Sequence, residues 1–121
     1  MADRIERMFR VDGLRCLVTG ASSGLGRHFA LTLARAGAAE VVVAGRRVES
    51  LAGLVDELRG LGCKAGSARL DVTSGPSIAA CFDSIGGGEG AAADVVVNNA
   101  GVTVTKALLE QSEDDLSLIH I

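Results

Sequence analysis

The 121 residues predict an α/β fold, a doubly wound parallel sheet of about four strands. Three observations carry that prediction. Short, continuously apolar runs alternate with segments of helical period. Glycine, Asp and Asn punctuate the chain at the ends of the apolar runs. A glycine-rich turn, Thr19-Gly20-Ala21-Ser22-Ser23-Gly24-Leu25-Gly26, stands between the first run and the first helical segment.

The elements follow in order. Leu14–Val18 reads as a buried strand, and Gly24–Gly37 as a helix whose Phe29, Leu31, Leu33 and Ala34 supply its apolar surface, with Gly37 as its stop. Val41–Ala44 is a second strand, apolar throughout because both faces of a parallel sheet are covered. Val48–Leu61 repeats Leu51, Leu54, Val55 and Leu58 at i, i+3, i+4 and i+7, a helix ended by Gly60 and Gly62. Ala65–Leu70 is a weaker third strand. Ser74-Gly75-Pro76 then opens a helix to about Ile85, Pro76 standing where a missing N–H costs nothing. Residues 86–93 form a surface connection to the fourth strand, Asp94–Val97, and a last helix begins near Ser112, with Asp115 completing a weak capping box.

Composition narrows the class of protein. With 48% hydrophobic and 22% charged residues the chain is globular rather than disordered, and its length suits a single domain over 1–121, with 1–10 as a charged N-terminal extension. A net charge of −3 and scattered arginines argue against a nucleic-acid partner. No run approaches the roughly 20 apolar residues that cross a bilayer, and 1–10 lack the apolar core of a secretory signal. The expectation is a cytoplasmic protein with no membrane partner. Cys16, Cys63 and Cys81 have neither metal-ligand spacing nor a disulfide pattern and read as small buried thiols.

The glycine turn carries the chemistry. Gly20 lets the chain leave the strand sharply, Gly24 lets a pyrophosphate approach the backbone, and Gly26 lets the helix pack closely. The N–H groups and dipole of the helix N-terminus attract phosphate, and Ser22 and Ser23 add hydroxyl donors. The residues Gly20–Gly24 also fit G-x-S-x-G, the nucleophile elbow of an α/β-hydrolase with Ser22 as nucleophile. Against this, no oxyanion-hole segment precedes the turn, and apart from His28 on the adjoining helix the only later histidine for a triad is His120. A P-loop is excluded, since no Lys-Ser/Thr follows.

At the tip of the second strand stand Arg46 and Arg47 and no carboxylate. A carboxylate there holds a ribose diol, whereas guanidiniums accept a 2′-phosphate through a bidentate fork. The expected cofactor is therefore NADP(H) rather than NAD(H), with Arg46 the better placed. Asp71 and Val72 end the third strand, where a carboxylate accepts from an adenine amino group and a valine packs beside it. Asn99, Ala100 and Gly101 end the fourth. Asn99 serves equally as a strap between strand ends, and the two small residues leave room for ribose. His28, alone on a helix, is given no role.

Taken together, these segments resemble the short-chain dehydrogenase/reductase family. Thr19–Gly26 is similar to its T-G-x-x-x-G-x-G motif, Asp71-Val72 to its adenine-contacting pair, and Asn98–Gly101 to its N-N-A-G, over roughly Val11–Asp115. The closest likeness is to NADP-preferring reductases of the 3-oxoacyl kind. The resemblance implies a Rossmann-type sheet of which this is the N-terminal half only. It also implies hydride transfer to or from a small carbonyl or alcohol substrate, and a homo-oligomeric enzyme. Gly45 falls where NAD-dependent members carry Asp, and Arg46 where NADP-dependent members carry a basic residue. The family's catalytic Ser and Tyr-x-x-x-Lys lie later in the chain, so no catalytic residue is assigned, and the fragment itself is expected to be inactive. A non-catalytic NADP(H)-binding module remains the alternative. Leu116–Ile121 is what CTG TCT CTT ATA CAC ATC encodes, a transposase adapter sequence, so 116–121 is expected to be a non-native tail. A chain ending there leaves Val95–Val97 as an apolar edge and an association hazard.

Overall fold

Every apolar run becomes a strand, and all the strands run parallel. The computed structural model describes residues 2–22, 24–86 and 93–101. They form α1 (Ala2–Met8), β1 (Arg15–Thr19), α2 (Gly24–Arg35), β2 (Glu40–Gly45), a 3₁₀ turn (Val48–Leu51) running into α3 (Ala52–Gly60), β3 (Lys64–Arg69), α4 (Gly75–Gly86) and β4 (Val95–Val97). The four-stranded sheet has the order β3-β2-β1-β4. The expected doubly wound architecture is the one observed. The helix expected near Ser112 and the tail at 116–121 lie outside the described residues.

Alternation along the strands sends side chains to two cores. On one face Cys16, Val18, Val41, Val43 and Ala65 meet Ala30, Leu31 and Ala34 of α2 and Leu54, Val55 and Leu58 of α3. On the other, Leu17, Val42, Ala44 and Ala68 meet Cys81 of α4. The uninterrupted burial of Val41–Ala44 follows from helices lying on both sides. Cys16, Cys63 and Cys81 are buried and free, as expected, and burial pushes each thiol up from its ordinary value.

Helix ends follow local chemistry. Gly37 has φ +98°, the Ala38 N–H reaches the Leu33 carbonyl at 3.1 Å, and the Gly37 N–H that of Ala34 at 3.2 Å, which is a Schellman close. Gly62 ends α3 in the same way. Ser74 caps α4 by accepting the Ser77 N–H at 3.2 Å.

Three details differ from expectation. Within the expected N-terminal extension residues 2–8 are helical, which the sequence expectation did not specify, with Ile5, Met8 and Phe9 exposed. The segment from Val48 begins as a 3₁₀ turn, because Arg47 offers no side-chain cap to its first amides. β1 runs on to Thr19, whose backbone pairs with Ala44. β4 is one of the two edge strands of the described sheet, paired through Val95–Val97 to Cys16–Val18, and its Val96 is 42% exposed.

Candidate functional site

β1 lies between β2 and β4, and the chain crosses over in opposite directions on its two sides. Such a reversal leaves a crevice at the carboxyl ends of the strands, where open α/β sheets hold ligands. The glycine turn and the ends of β2, β3 and β4 all open there.

The floor of the crevice is tightly built. Thr19 is 3% exposed. Its hydroxyl accepts the N–H groups of Asn99 and Ala100, each at 3.0 Å, and faces the Val97 carbonyl at 3.4 Å. The Asn99 side-chain amide donates to the Gly20 carbonyl at 3.2 Å. Asn99 is thus the strap between strand ends that its residue type allows. Thr19 lies beneath the surface, with its hydroxyl spent on β4. Gly20 is required twice over: its φ is +62°, and a Cβ would stand 2.8 Å from the Ala100 Cα. A Cβ on Gly26 would run into the Gly20 carbonyl and the Asn99 amide, so Gly26 packs against the turn itself rather than against the sheet. Gly24 differs from both, since its φ is +60° but none of the described residues lies within 4 Å of where its Cβ would point. That open space faces out from the start of α2. Ser22 and Leu25 are exposed beside it, Leu25 at 65%. Ser23 lies outside the described residues.

Next to the turn is a cleft of about 610 Å³ lined by Ser22, Gly45, Arg46, Arg47 and Ser50. Both arginines are exposed, and among the described residues neither is held in an ion pair. A Cβ on Gly45 would touch only Leu51, at 3.7 Å, so glycine leaves room there without being forced by the packing. Ser50 was not singled out from the sequence. It enters because the 3₁₀ turn swings it back over Arg47, to whose carbonyl its hydroxyl donates at 2.7 Å.

Asp71 ends up in a turn of its own. Its Oδ1 accepts from the Thr73 N–H at 3.0 Å and the Thr73 hydroxyl at 2.6 Å. Those bonds, helped by the Arg46 and Arg69 guanidiniums, hold its carboxyl below the usual value. The proximity of Arg46 places the ends of β2 and β3 on one rim. Val72 is half-buried at the edge of the second core. Ala100 is half-buried and Gly101 exposed, at the lip above β4. Among the described residues no group of three or more His, Cys, Asp or Glu side chains is placed to hold a metal, and no helix is long and apolar enough to cross a membrane.

Residues 15–120 match the family model for short chain dehydrogenase. The chain belongs to that family. Within this short-chain dehydrogenase family it is 40% identical over 108 residues to gluconate 5-dehydrogenase of Gluconobacter oxydans, covering 89% of this chain and 41% of that one. It is 38% identical over 107 residues to the 3-oxoacyl-[acyl-carrier-protein] reductase of Thermotoga maritima, covering 88% and 42%. A crystal structure of gluconate 5-dehydrogenase from Burkholderia cenocepacia, in complex with NADP and tartrate, superposes with a TM-score of 0.81 at 36% identity, covering 94% of this chain and 44% of that one. The short-chain dehydrogenase chain described here therefore spans less than half the length of these relatives. The expected resemblance, its N-terminal extent and its 3-oxoacyl-reductase flavour agree with these matches.

Proposed function

We propose that this chain is the adenosine-binding part of an NADP(H)-dependent oxidoreductase acting on a small carbonyl or alcohol substrate. The observation that carries the reading is the cleft at the end of β2. Its lining has two guanidiniums, neither in an ion pair among the described residues, and no carboxylate, and it lies beside a turn whose Gly24 leaves open space at a helix N-terminus. In this reading the first amides of α2, with Ser22, Ser23, Gly24 and Leu25 around them, bind the pyrophosphate. Arg46 and Arg47 hold the 2′-phosphate. Asp71 and Val72 flank the adenine, while Asn99, Ala100 and Gly101 border the ribose. Thr19, Gly20 and Gly26 keep this surface in register. The nicotinamide, when bound, gives or takes the hydride.

The 121 residues contain no Tyr, so proton transfer to a substrate oxygen by a phenol belongs to a longer protein, and this chain alone is inactive. We take 1–121 as one dinucleotide-binding unit of a cytoplasmic, homo-oligomeric enzyme, a setting that suits its three free thiols. Several solved relatives hold NADP or NADPH, which supports the choice of cofactor. Titration calorimetry of the 121-residue chain with NADPH and NADH tests it. The expected result is NADPH tighter by about tenfold or more. Equal affinities, or tighter NADH, overturn the cofactor assignment.

The lack of Tyr also favours a second reading, a non-catalytic NADP(H)-binding module. Sequencing the source locus past the codon for Asp115 separates the two: an open frame carrying Tyr-x-x-x-Lys supports the enzyme, and a genuine stop after Ile121 supports the module.

A further inference from the structure

Ser50 is the cleft residue that the phosphate reading does not use, and its surroundings give it a task. β2 ends at Gly45, and the chain must present two successive arginines on one side of a cleft before it turns into α3. Arg47 does this in an extended conformation, φ −120° and ψ 100°, at the head of the 3₁₀ turn. No side chain caps that turn from its N-terminal end. Ser50 closes it from within: its N–H donates to the Arg47 carbonyl at 3.2 Å, and its hydroxyl donates to the same oxygen at 2.7 Å. Two donors on one carbonyl fix the peptide plane that follows Arg47, and with it the ψ angle that aims the Arg46–Arg47 pair. Ser50 lines the same cleft as Ser22, Arg46 and Arg47. A hydroxyl rotates freely about its C–O bond. A phosphate monoester entering between the guanidiniums therefore meets a donor that swings from the Arg47 carbonyl to a phosphate oxygen, leaving that carbonyl its backbone bond.

We propose that Ser50 is a specificity-determining residue for a 2′-phosphorylated adenosine ligand, positioning Arg47 in the empty cleft and donating to the phosphate in the filled one. The proposal rests on the NADP(H) reading of the cleft and adds to it a residue outside the glycine turn and the arginine pair. It concerns discrimination between phosphorylated and unphosphorylated ribose, and leaves the rest of adenosine binding untouched.

The test is the ratio of affinities of the 121-residue chain for adenosine 2′,5′-bisphosphate and adenosine 5′-monophosphate, measured by calorimetry on wild type, Ser50→Ala, Ser50→Thr and Ser50→Asp. A purely structural role would weaken both ligands together and leave the ratio alone. The expected wild-type ratio is about tenfold or more in favour of the bisphosphate, and Ser50→Ala is expected to cut it about fivefold with monophosphate binding unchanged. Ser50→Thr, which keeps the hydroxyl, is expected to restore the ratio to within about twofold. Ser50→Asp, which sets a carboxylate against the phosphate, is expected to abolish it. If Ser50→Ala fails to fold by circular dichroism, the Thr and Asp variants still decide the matter through the same ratio. A wild-type ratio above tenfold that survives Ser50→Ala or Ser50→Asp overturns the role of Ser50 and leaves the cofactor reading standing. A wild-type ratio near one overturns both.

Discussion

Thr19, Gly20, Gly26 and Asn99 interlock through inward-facing hydrogen bonds and backbone contacts that leave no room for a Cβ, whereas Ser22, Arg46, Arg47 and Ser50 line a cleft whose charged groups look outward. The first region is steric and depends on two strand ends meeting. The second is electrostatic and depends on what is absent, a carboxylate at position 45 and, among the described residues, ion-pair partners for the guanidiniums. Damage to the floor is therefore expected to show as lost stability, and damage to the cleft as lost discrimination between ligands.

The largest effect expected is at Gly26. A methyl there drives into the Gly20 carbonyl and the Asn99 amide, so Gly26→Ala is expected to lower unfolding free energy by about 3 kcal/mol in urea melts. An unaltered midpoint would mean that the turn yields easily. Thr19→Val comes next. It keeps the shape but strips the Asn99 and Ala100 amides of their acceptor, at an expected cost of about 2 kcal/mol by the same assay. The cleft responds differently: Arg46→Ala is expected to leave the melt within about 0.5 kcal/mol of wild type while weakening NADPH about tenfold and NADH hardly at all. A parallel loss for both dinucleotides would remove the division of labour between the regions.

Gly24→Ala sharpens the comparison from the middle. Its Cβ meets nothing among the described residues, but its φ of +60° is unfavourable for alanine, so about 1 kcal/mol of stability is expected to go, together with most dinucleotide binding because the methyl would fill the space proposed for the ligand. Intact binding would move the pyrophosphate elsewhere. The smallest effect is at Asp71, whose folded pKa lies below its ordinary 3.8 because Thr73 bonds its carboxylate. A depressed pKa gives stability that is fully present above the unfolded value and disappears as pH falls through the folded one. Between pH 5 and pH 3 wild type is thus expected to lose slightly more stability than Asp71→Asn, and identical acid limbs would show that the Thr73 contacts contribute nothing.

The strands, helices and glycine positions were legible because each rests on local chemistry: apolar continuity in Val41–Ala44, the i, i+3, i+4, i+7 stripe of α3, Gly37 and Gly62 past helix ends. The rim of the site was legible for the same reason, since a ligand crevice forms where parallel strands end. The inward turn of Thr19 was not, because its direction is set by β4, distant in the chain. Ser50 escaped notice because only the 3₁₀ geometry folds it back on Arg47; an α-helix over the same residues would have a different pitch. The helix at 2–8 was hidden by its charges, which mark exposure without excluding helical structure.

The Thr19–Asn99 clasp joins residues 80 positions apart, whereas β1 and β2 meet across a separation of 25. Closing the longer loop costs more chain entropy, and its strand is the shortest of the four, so β4 is expected to dock after β3-β2-β1 has formed. The amides of Asn99 and Ala100 would then exchange with solvent ahead of those of Val41–Val43, and a dinucleotide resting on the clasp would slow them most. The surface proposed to receive the ligand is in that sense expected to be the last part of the described sheet to assemble, and ligand binding is expected to complete folding there.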